Sequence, residues 1–223
     1  MVREIVIDSA FLRFGEREVL RGAHLRLRRG TVTGLLGRNG CGKSCLLKIL
    51  TGQLSAQHAY VGVDGEHQPD LYAVPGLLNY LPQRTVHPPA LRLAQLVEYY
   101  RIPAAAFWTT AATTIFPDPT IRMGTLSGGQ QRLFETLLVL AADTTFTLLD
   151  EPFSHIMPVH IDYLREIIST ARRRKGILVT DHQYRHVLDL SDELYLLYSG
   201  TTRIIKAEKE LVQYGYIKES RDQ

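Results

Sequence analysis

The run Gly37-Arg38-Asn39-Gly40-Cys41-Gly42-Lys43-Ser44 limits what this chain can fold into more than any other feature. It fits the pattern G-x-x-x-x-G-K-[ST], follows the apolar stretch Thr33-Gly34-Leu35-Leu36 and precedes Cys45-Leu46-Leu47-Lys48-Ile49-Leu50, which reads as a helix. Strand, glycine loop and helix in that order point to an α/β fold of the phosphate-loop kind. Glycines let consecutive backbone N–H groups turn inward around phosphate oxygens, and the helix adds its positive N-terminal end. Gly37, Asn39, Gly40, Cys41 and Gly42 are therefore expected to cradle the phosphates of a nucleoside triphosphate. Lys43 would meet the β- and γ-phosphates and Ser44 would ligate Mg²⁺.

A second run, Leu126-Ser127-Gly128-Gly129-Gln130-Gln131-Arg132, narrows the class. Ser127 suits the N-cap of a helix through Arg132, Leu133, Leu137 and Leu140, so Gly128, Gly129 and Gln130 would present amide donors at a helix start, a second anion site. By loop composition alone the same residues read as a flexible linker before a core helix. The run resembles the signature sequence of ATP-binding cassette (ABC) ATPases, and with the phosphate loop it makes the chain similar to a single ABC nucleotide-binding domain. That resemblance implies a phosphate-loop core with an antiparallel β-subdomain and a small helical arm.

The remaining parts stand in the family's order. Phe146-Thr147-Leu148-Leu149 reads as a buried parallel strand that delivers Asp150 and Glu151 to its C-terminal edge, where open α/β sheets bind ligands. The resemblance implies that Asp150 holds Mg²⁺ and that Glu151 is the catalytic carboxylate acting on the attacking water. It implies that Gln83, in Tyr80-Leu81-Pro82-Gln83, senses Mg²⁺ and the γ-phosphate, and that His182, after Ile177-Leu178-Val179-Thr180-Asp181, is the switch histidine. Phe14 lies where the family usually carries a tyrosine stacked on adenine; ordinary core burial is the competing reading. One departure stands out: the family's Ser-Ala-Leu-Asp is here Ser154-His155-Ile156-Met157, so the acidic residue is missing.

Composition agrees with a globular protein: 223 residues, 45% hydrophobic, 22% charged, net charge +3. The clusters Arg26-Leu27-Arg28-Arg29 and Arg172-Arg173-Arg174-Lys175 read as solvated faces, and so small a net charge argues against nucleic acid. The aliphatic stretch Leu137-Leu138-Val139-Leu140-Ala141-Ala142 is far short of a membrane span, so no direct membrane insertion is expected. Met1-Val2-Arg3-Glu4 has no apolar signal core. Both cysteines, Cys41 and Cys45, belong to the phosphate loop and its helix, which suggests reduced thiols and a cytoplasmic setting. The positive potential of the loop would favour the Cys41 thiolate where solvent reaches it.

The whole chain, 1–223, reads as one domain, with 1–84 and 127–223 forming the nucleotide-binding core and 85–126 the helical arm. Alternation over 5–32 suggests the antiparallel β-subdomain. In the arm Leu93, Leu96, Val97 and Tyr100 recur at helical spacing, and Pro103-Ala104-Ala105-Ala106-Phe107-Trp108 opens another helical segment. Later, Pro158 suits a first helical turn, Ile161, Leu164, Ile167 and Ile168 face inward, and Gly176 suits the exit. The arm lacks sustained heptads, which excludes the coiled-coil chromosome-maintenance and break-repair relatives, and one cassette argues against the translation-associated type. The expected function is the ATP-hydrolysing subunit of a transporter. It would drive an integral membrane permease by ATP-dependent pairing with a second cassette, on the inner face of the membrane. The alternative is a soluble assembly factor of the iron–sulphur type.

Overall fold

The computed structural model describes residues 2–108 and 110–218. The alternating start of the chain forms a long hairpin, β1 (Glu4–Phe14) and β2 (Arg17–Arg28), whose inward residues Ile5, Ile7, Leu20, Leu25 and Leu27 are all buried. Strand β3 (Val32–Leu36) leads through the phosphate loop into α1 (Lys43–Leu50). Then β4 (His58–Val63) and β5 (Glu66–His67) join the hairpin in an antiparallel sheet of order β2-β1-β4-β5, the expected β-subdomain.

Strand β6 (Leu78–Leu81) precedes three short helices, α2 (Leu93–Tyr99), α3 (Ala104–Phe107) and α4 (Thr110–Ile115). The long helix α5 (Gly128–Ala141) returns to β7 (Phe146–Asp150), followed by α6 (Pro158–Ala171), β8 (Gly176–Thr180), α7 (Tyr184–Leu190), β9 (Glu193–Tyr198), β10 (Thr201–Ile205) and α8 (Glu208–Gln213). The second sheet has the order β10-β9-β3-β8-β7-β6, parallel throughout except for the edge strand β10. Helices cover it, so every residue of β3, β7 and β8 is buried and these strands are mostly apolar rather than alternating. Burial of each large side chain there contributes about 1.5–3 kcal/mol. Parallel strands place all their C-terminal ends on one edge, which brings the ends of β3, β6, β7 and β8 together.

Two readings of the sequence need correction. Gly176 is not a helix exit, since α6 ends at Ala171 and Gly176 opens β8. A Cβ there would lie 2.6 Å from the Arg28 carbonyl oxygen and from the Phe146 ring, so the glycine is required by packing. Nor is the second basic cluster simply a solvated face. Lys175 is buried, and its ammonium donates to the carbonyls of Ala142 (2.8 Å) and Val139 (3.4 Å) and to the hydroxyls of Thr144 and Thr147 (both 3.2 Å). Arg174 donates to the Leu140 carbonyl at 2.8 Å. The cluster thus satisfies the C-terminal carbonyls of α5, the negative end of a different helix from the one it follows.

Burial pulls the Lys175 pKa down to about 7, with Arg174 adding repulsion. The unfolded chain keeps this proton up to the ordinary lysine value near 10.5, so between those two pH values the unfolded state binds more protons and stability rises with pH. Lys175→Met should abolish that contribution. Urea midpoints measured at pH 7 and pH 9 should climb more for the wild type than for the variant, and equal slopes would contradict it.

Candidate functional site

The phosphate loop is built by what its glycines permit. Gly40 and Gly42 take φ of 74° and 113°, and a Cβ on Gly42 would stand 2.8 Å from a Val19 methyl. The buried Lys43 side chain folds along the loop, its Nζ donating to the Gly37 carbonyl at 2.7 Å and the Arg38 carbonyl at 3.4 Å. Phe14, Asn39, Gly40, Gly42, Lys43, Ser44, Gln83, Glu151 and His182 line one cleft of about 670 Å³. Phe14 is 52% exposed at the end of β1, so it is not a core residue. Gly37 lies outside that lining and opens onto a neighbouring recess with Arg38, Asn39, His182 and Tyr216.

Cys41 runs against expectation. A Cβ on Gly37 would lie 2.6 Å from its sulfur, so the side chain tucks back against the loop, partly buried beside the core. Burial pushes its pKa up and outweighs the opposing pull of Lys43. The thiol is therefore less ionised than an ordinary one, the reverse of the activated thiolate expected from the loop's potential.

Strand β7 ends in the two carboxylates. Asp150 is 2% exposed, accepts from the Tyr80 hydroxyl at 3.2 Å and from the Ser44 hydroxyl, and burial raises its pKa. Glu151 has φ 59°, left-handed for a residue with a side chain, a conformation costing on the order of 1 kcal/mol that is common at functional sites. Its amide donates to the Thr180 carbonyl at 2.6 Å. The turn aims the carboxylate into the cleft, where Oε2 accepts from Gln83 Nε2 (2.9 Å) and Ser154 Oγ (3.1 Å), with His182 Nδ1 at 3.6 Å. Three residues from separate loops converge on one oxygen.

Helix α5 begins as expected: Ser127 is its N-cap, accepting from the Gln130 amide at 3.3 Å while Gln130 Oε1 accepts from the Ser127 amide at 3.0 Å. A Cβ on Gly129 would sit 2.0 Å from the His155 carbonyl oxygen, whereas Gly128 has nothing within 4 Å. One glycine thus admits a neighbouring backbone and the other leaves open space. Ser127, Gly128, Gly129 and Gln130 do not line the cleft that holds Lys43 and Glu151.

Three residues at the site were not singled out from sequence. Ser154 fixes Glu151. Buried Arg132 donates to the carbonyls of Glu151 (3.0 Å), Pro82 (2.6 Å) and Asp150. Asp181 is fully buried and accepts from the amides of Phe153 and Gln183, both at 2.9 Å. Arg132 carried a signal: it ends the glycine-rich run and opens the largely apolar stretch of the helix, where a buried cation needs partners.

Comparison with known proteins agrees with this geometry. The family model described as ABC transporter matches residues 20–154. A probable ABC transporter ATP-binding protein of Azorhizobium caulinodans is 31% identical over 217 residues, covering 84% of this chain and 72% of that one. The ferric enterobactin transport ATP-binding protein FepC of Escherichia coli is 29% identical, covering 92% and 82%. The lipopolysaccharide export system ATP-binding protein LptB of Haemophilus influenzae is 28% identical, covering 84% and 83%. Among solved structures, an ATP binding subunit of an ABC transporter superposes with TM-score 0.80 at 19% identity, over 97% of this chain and 95% of that one. The chain belongs to the ABC transporter family. It is an ATP-binding, ATP-hydrolysing subunit of such a transporter.

Proposed function

We propose that the cleft holds Mg-ATP, that two cassettes close around it, and that closure drives a separate permease from the cytoplasmic side of a membrane. The convergence of Gln83, Ser154 and His182 on Glu151 carries the reading, because it is an aligned carboxylate beside a phosphate loop. The donors suit a hard cation: the Ser44 hydroxyl, the Asp150 carboxylate and the Gln83 amide offer oxygens, and burial raises the Asp150 pKa, so a cation there would favour its ionised form. Mg²⁺ bound there would offset the negative charge of the phosphate oxygens. Lys43 would exchange its carbonyl partners for the β- and γ-phosphates, and Glu151 would orient and deprotonate the attacking water, with His182 against the γ-phosphate. Phe14 would offer its exposed face to adenine.

The signature residues lie outside the cleft, so a second cassette, identical or paralogous, is the natural source of donors for its open side. Segment 85–126 would be the arm that meets the permease; it exposes Val86 (57%) and Tyr99 (79%) beside the Gln83 loop. Among the described residues no helix is long and apolar enough to cross a membrane, so the permease would be another chain. The names of the relatives are those of transporter subunits, which favours this over the assembly-factor alternative.

Lys43→Ala should weaken Mg-ATP binding about 10–100-fold, the worth of one charge-assisted contact. Calorimetry showing unchanged affinity would remove the cleft from this role.

Met157 replaces the family's aspartate and is 57% exposed as the N-cap of α6, with no side-chain capping bond. Met157→Asp should therefore stabilise the fold by about 1 kcal/mol through capping and, by restoring an acidic residue at the interface between cassettes, raise basal ATPase activity or its Hill coefficient. If the melting temperature rises and neither kinetic quantity moves, the missing aspartate does not limit coupling between the sites.

A further inference from the structure

Helix α5 grips the Gln83 loop at both ends. Arg132 holds the near end, donating to the Pro82 carbonyl at 2.6 Å. One turn further along the same helix, Glu135 holds the far end: its Oε1 accepts from the Val86 amide at 3.3 Å and from His87 Nδ1 at 2.7 Å. Glu135 is fully buried, and the His87 side chain is 7% exposed. A carboxylate only accepts, so His87 Nδ1 donates to Glu135, and on the other side of the ring His87 Nε2 shares a hydrogen bond with the Tyr100 hydroxyl at 3.0 Å. Burial pushes the Tyr100 pKa up to about 12, which keeps it a phenol. The relay Tyr100, His87, Glu135 therefore joins the end of α2, the loop after Gln83 and the signature helix.

A fully buried carboxylate is costly unless its partners are kept, and Glu135 Oε2 has no hydrogen-bond partner. A leucine would fill this place in an apolar helix more cheaply, so a role for the carboxylate is called for. We propose that Glu135, acting through His87, is a positioning residue that locks the far end of the Gln83 loop to the signature helix, so that displacement of α2 reaches Gln83 and Glu151 as one movement. Between the two grips only residues 83–85 are free to flex. Without the far grip that slack grows, and Gln83 loses its fixed approach to Glu151 at 2.9 Å. The phosphate loop and Lys43 are untouched, so turnover should fall far more than ATP affinity.

This rests on the proposed ATPase cycle, and the test distinguishes the two. Full-length wild type, Glu135→Leu, Glu135→Gln, His87→Ala and the Glu135→Leu/His87→Ala double variant are compared by steady-state ATPase kinetics and by hydrogen exchange at the Val86 amide. Glu135→Leu and His87→Ala should each lower kcat about tenfold with KM within about twofold, and the double variant should fall no further. Glu135→Gln keeps an oxygen that accepts from Val86 and His87, so it should recover most of the loss. Protection of the Val86 amide should drop about tenfold in Glu135→Leu and return in Glu135→Gln. Unchanged kcat, additive effects in the double variant, or parallel loss of kcat and of ATP affinity overturns the proposal. A wild type without ATPase activity would sink the proposed function, and unchanged Val86 exchange in Glu135→Leu would still decide against the grip.

Discussion

Glu151→Gln is expected to bind ATP as the wild type does and to lose about 10²–10⁴ of its turnover. The substitution is nearly isosteric, and the phosphate loop, Lys43 and Ser44 are untouched, so affinity has no reason to fall. An amide cannot take a proton from water, and that is the step that fails. The geometry sharpens the expectation. Oε2 of Glu151 accepts from Gln83 and Ser154, so the glutamine will place its carbonyl oxygen there and turn its NH₂ toward the cleft, where a donor replaces the base. With ATP bound and not consumed, the closed pair of cassettes should accumulate. Gel filtration with and without Mg-ATP reads the pairing and a phosphate-release assay reads the turnover. Turnover at the wild-type rate would remove Glu151 from its assigned role; a slow variant that stays monomeric with ATP would instead place closure elsewhere than in ATP retention.

Much of this site was legible because its parts are local. A phosphate loop is contiguous, its glycines follow from backbone angles, and Asp150 and Glu151 lie where a buried strand ends. The Ser127 capping box is likewise contained within four consecutive residues, Ser127 to Gln130. What stayed hidden depends on partners far apart in the chain. Cys41 was read from the charge of its own loop, but where its sulfur goes is settled by packing against Gly37, so burial decides its pKa. Lys175 was read as part of a solvated face because it stands in a run of cations, although it is buried against acceptors at the end of α5 and in the strand β7 beyond it. Gly176 looked like helix punctuation, and only the approach of Arg28 and Phe146 shows why a side chain is excluded. In each case the residue type was informative, and the partner was not written nearby.

Arg132 is the extreme of that kind. A single buried guanidinium satisfies the carbonyls of Pro82, Asp150 and Glu151, so it joins the ends of β6 and β7 to the signature helix. Burial pulls its pKa down, and Glu135, Asp150, Asp181 and Glu151 oppose that pull. Arg132→Met should remove a donor from three carbonyls, of which that of Glu151 keeps the Ser154 amide at 3.3 Å, and should take a cation away from two fully or nearly buried carboxylates, Glu135 and Asp150; a lost donor to a buried carbonyl costs about 1–3 kcal/mol. The expected loss of stability is about 3–5 kcal/mol, enough to unfold a marginal domain. Arg132→Lys supplies the charge without the planar fork and cannot serve three divergent carbonyls, so it should recover only part of that loss. Because the same side chain fixes the backbone that presents Gln83 and Glu151, Arg132→Lys should also turn over ATP at least tenfold more slowly at temperatures where it is fully folded. Urea unfolding gives the first quantity and ATPase kinetics below the melting transition gives the second. Wild-type stability in Arg132→Met would mean that water satisfies these carbonyls. Wild-type kcat in a folded Arg132→Lys would mean that Gln83 and Glu151 hold their places without the fork.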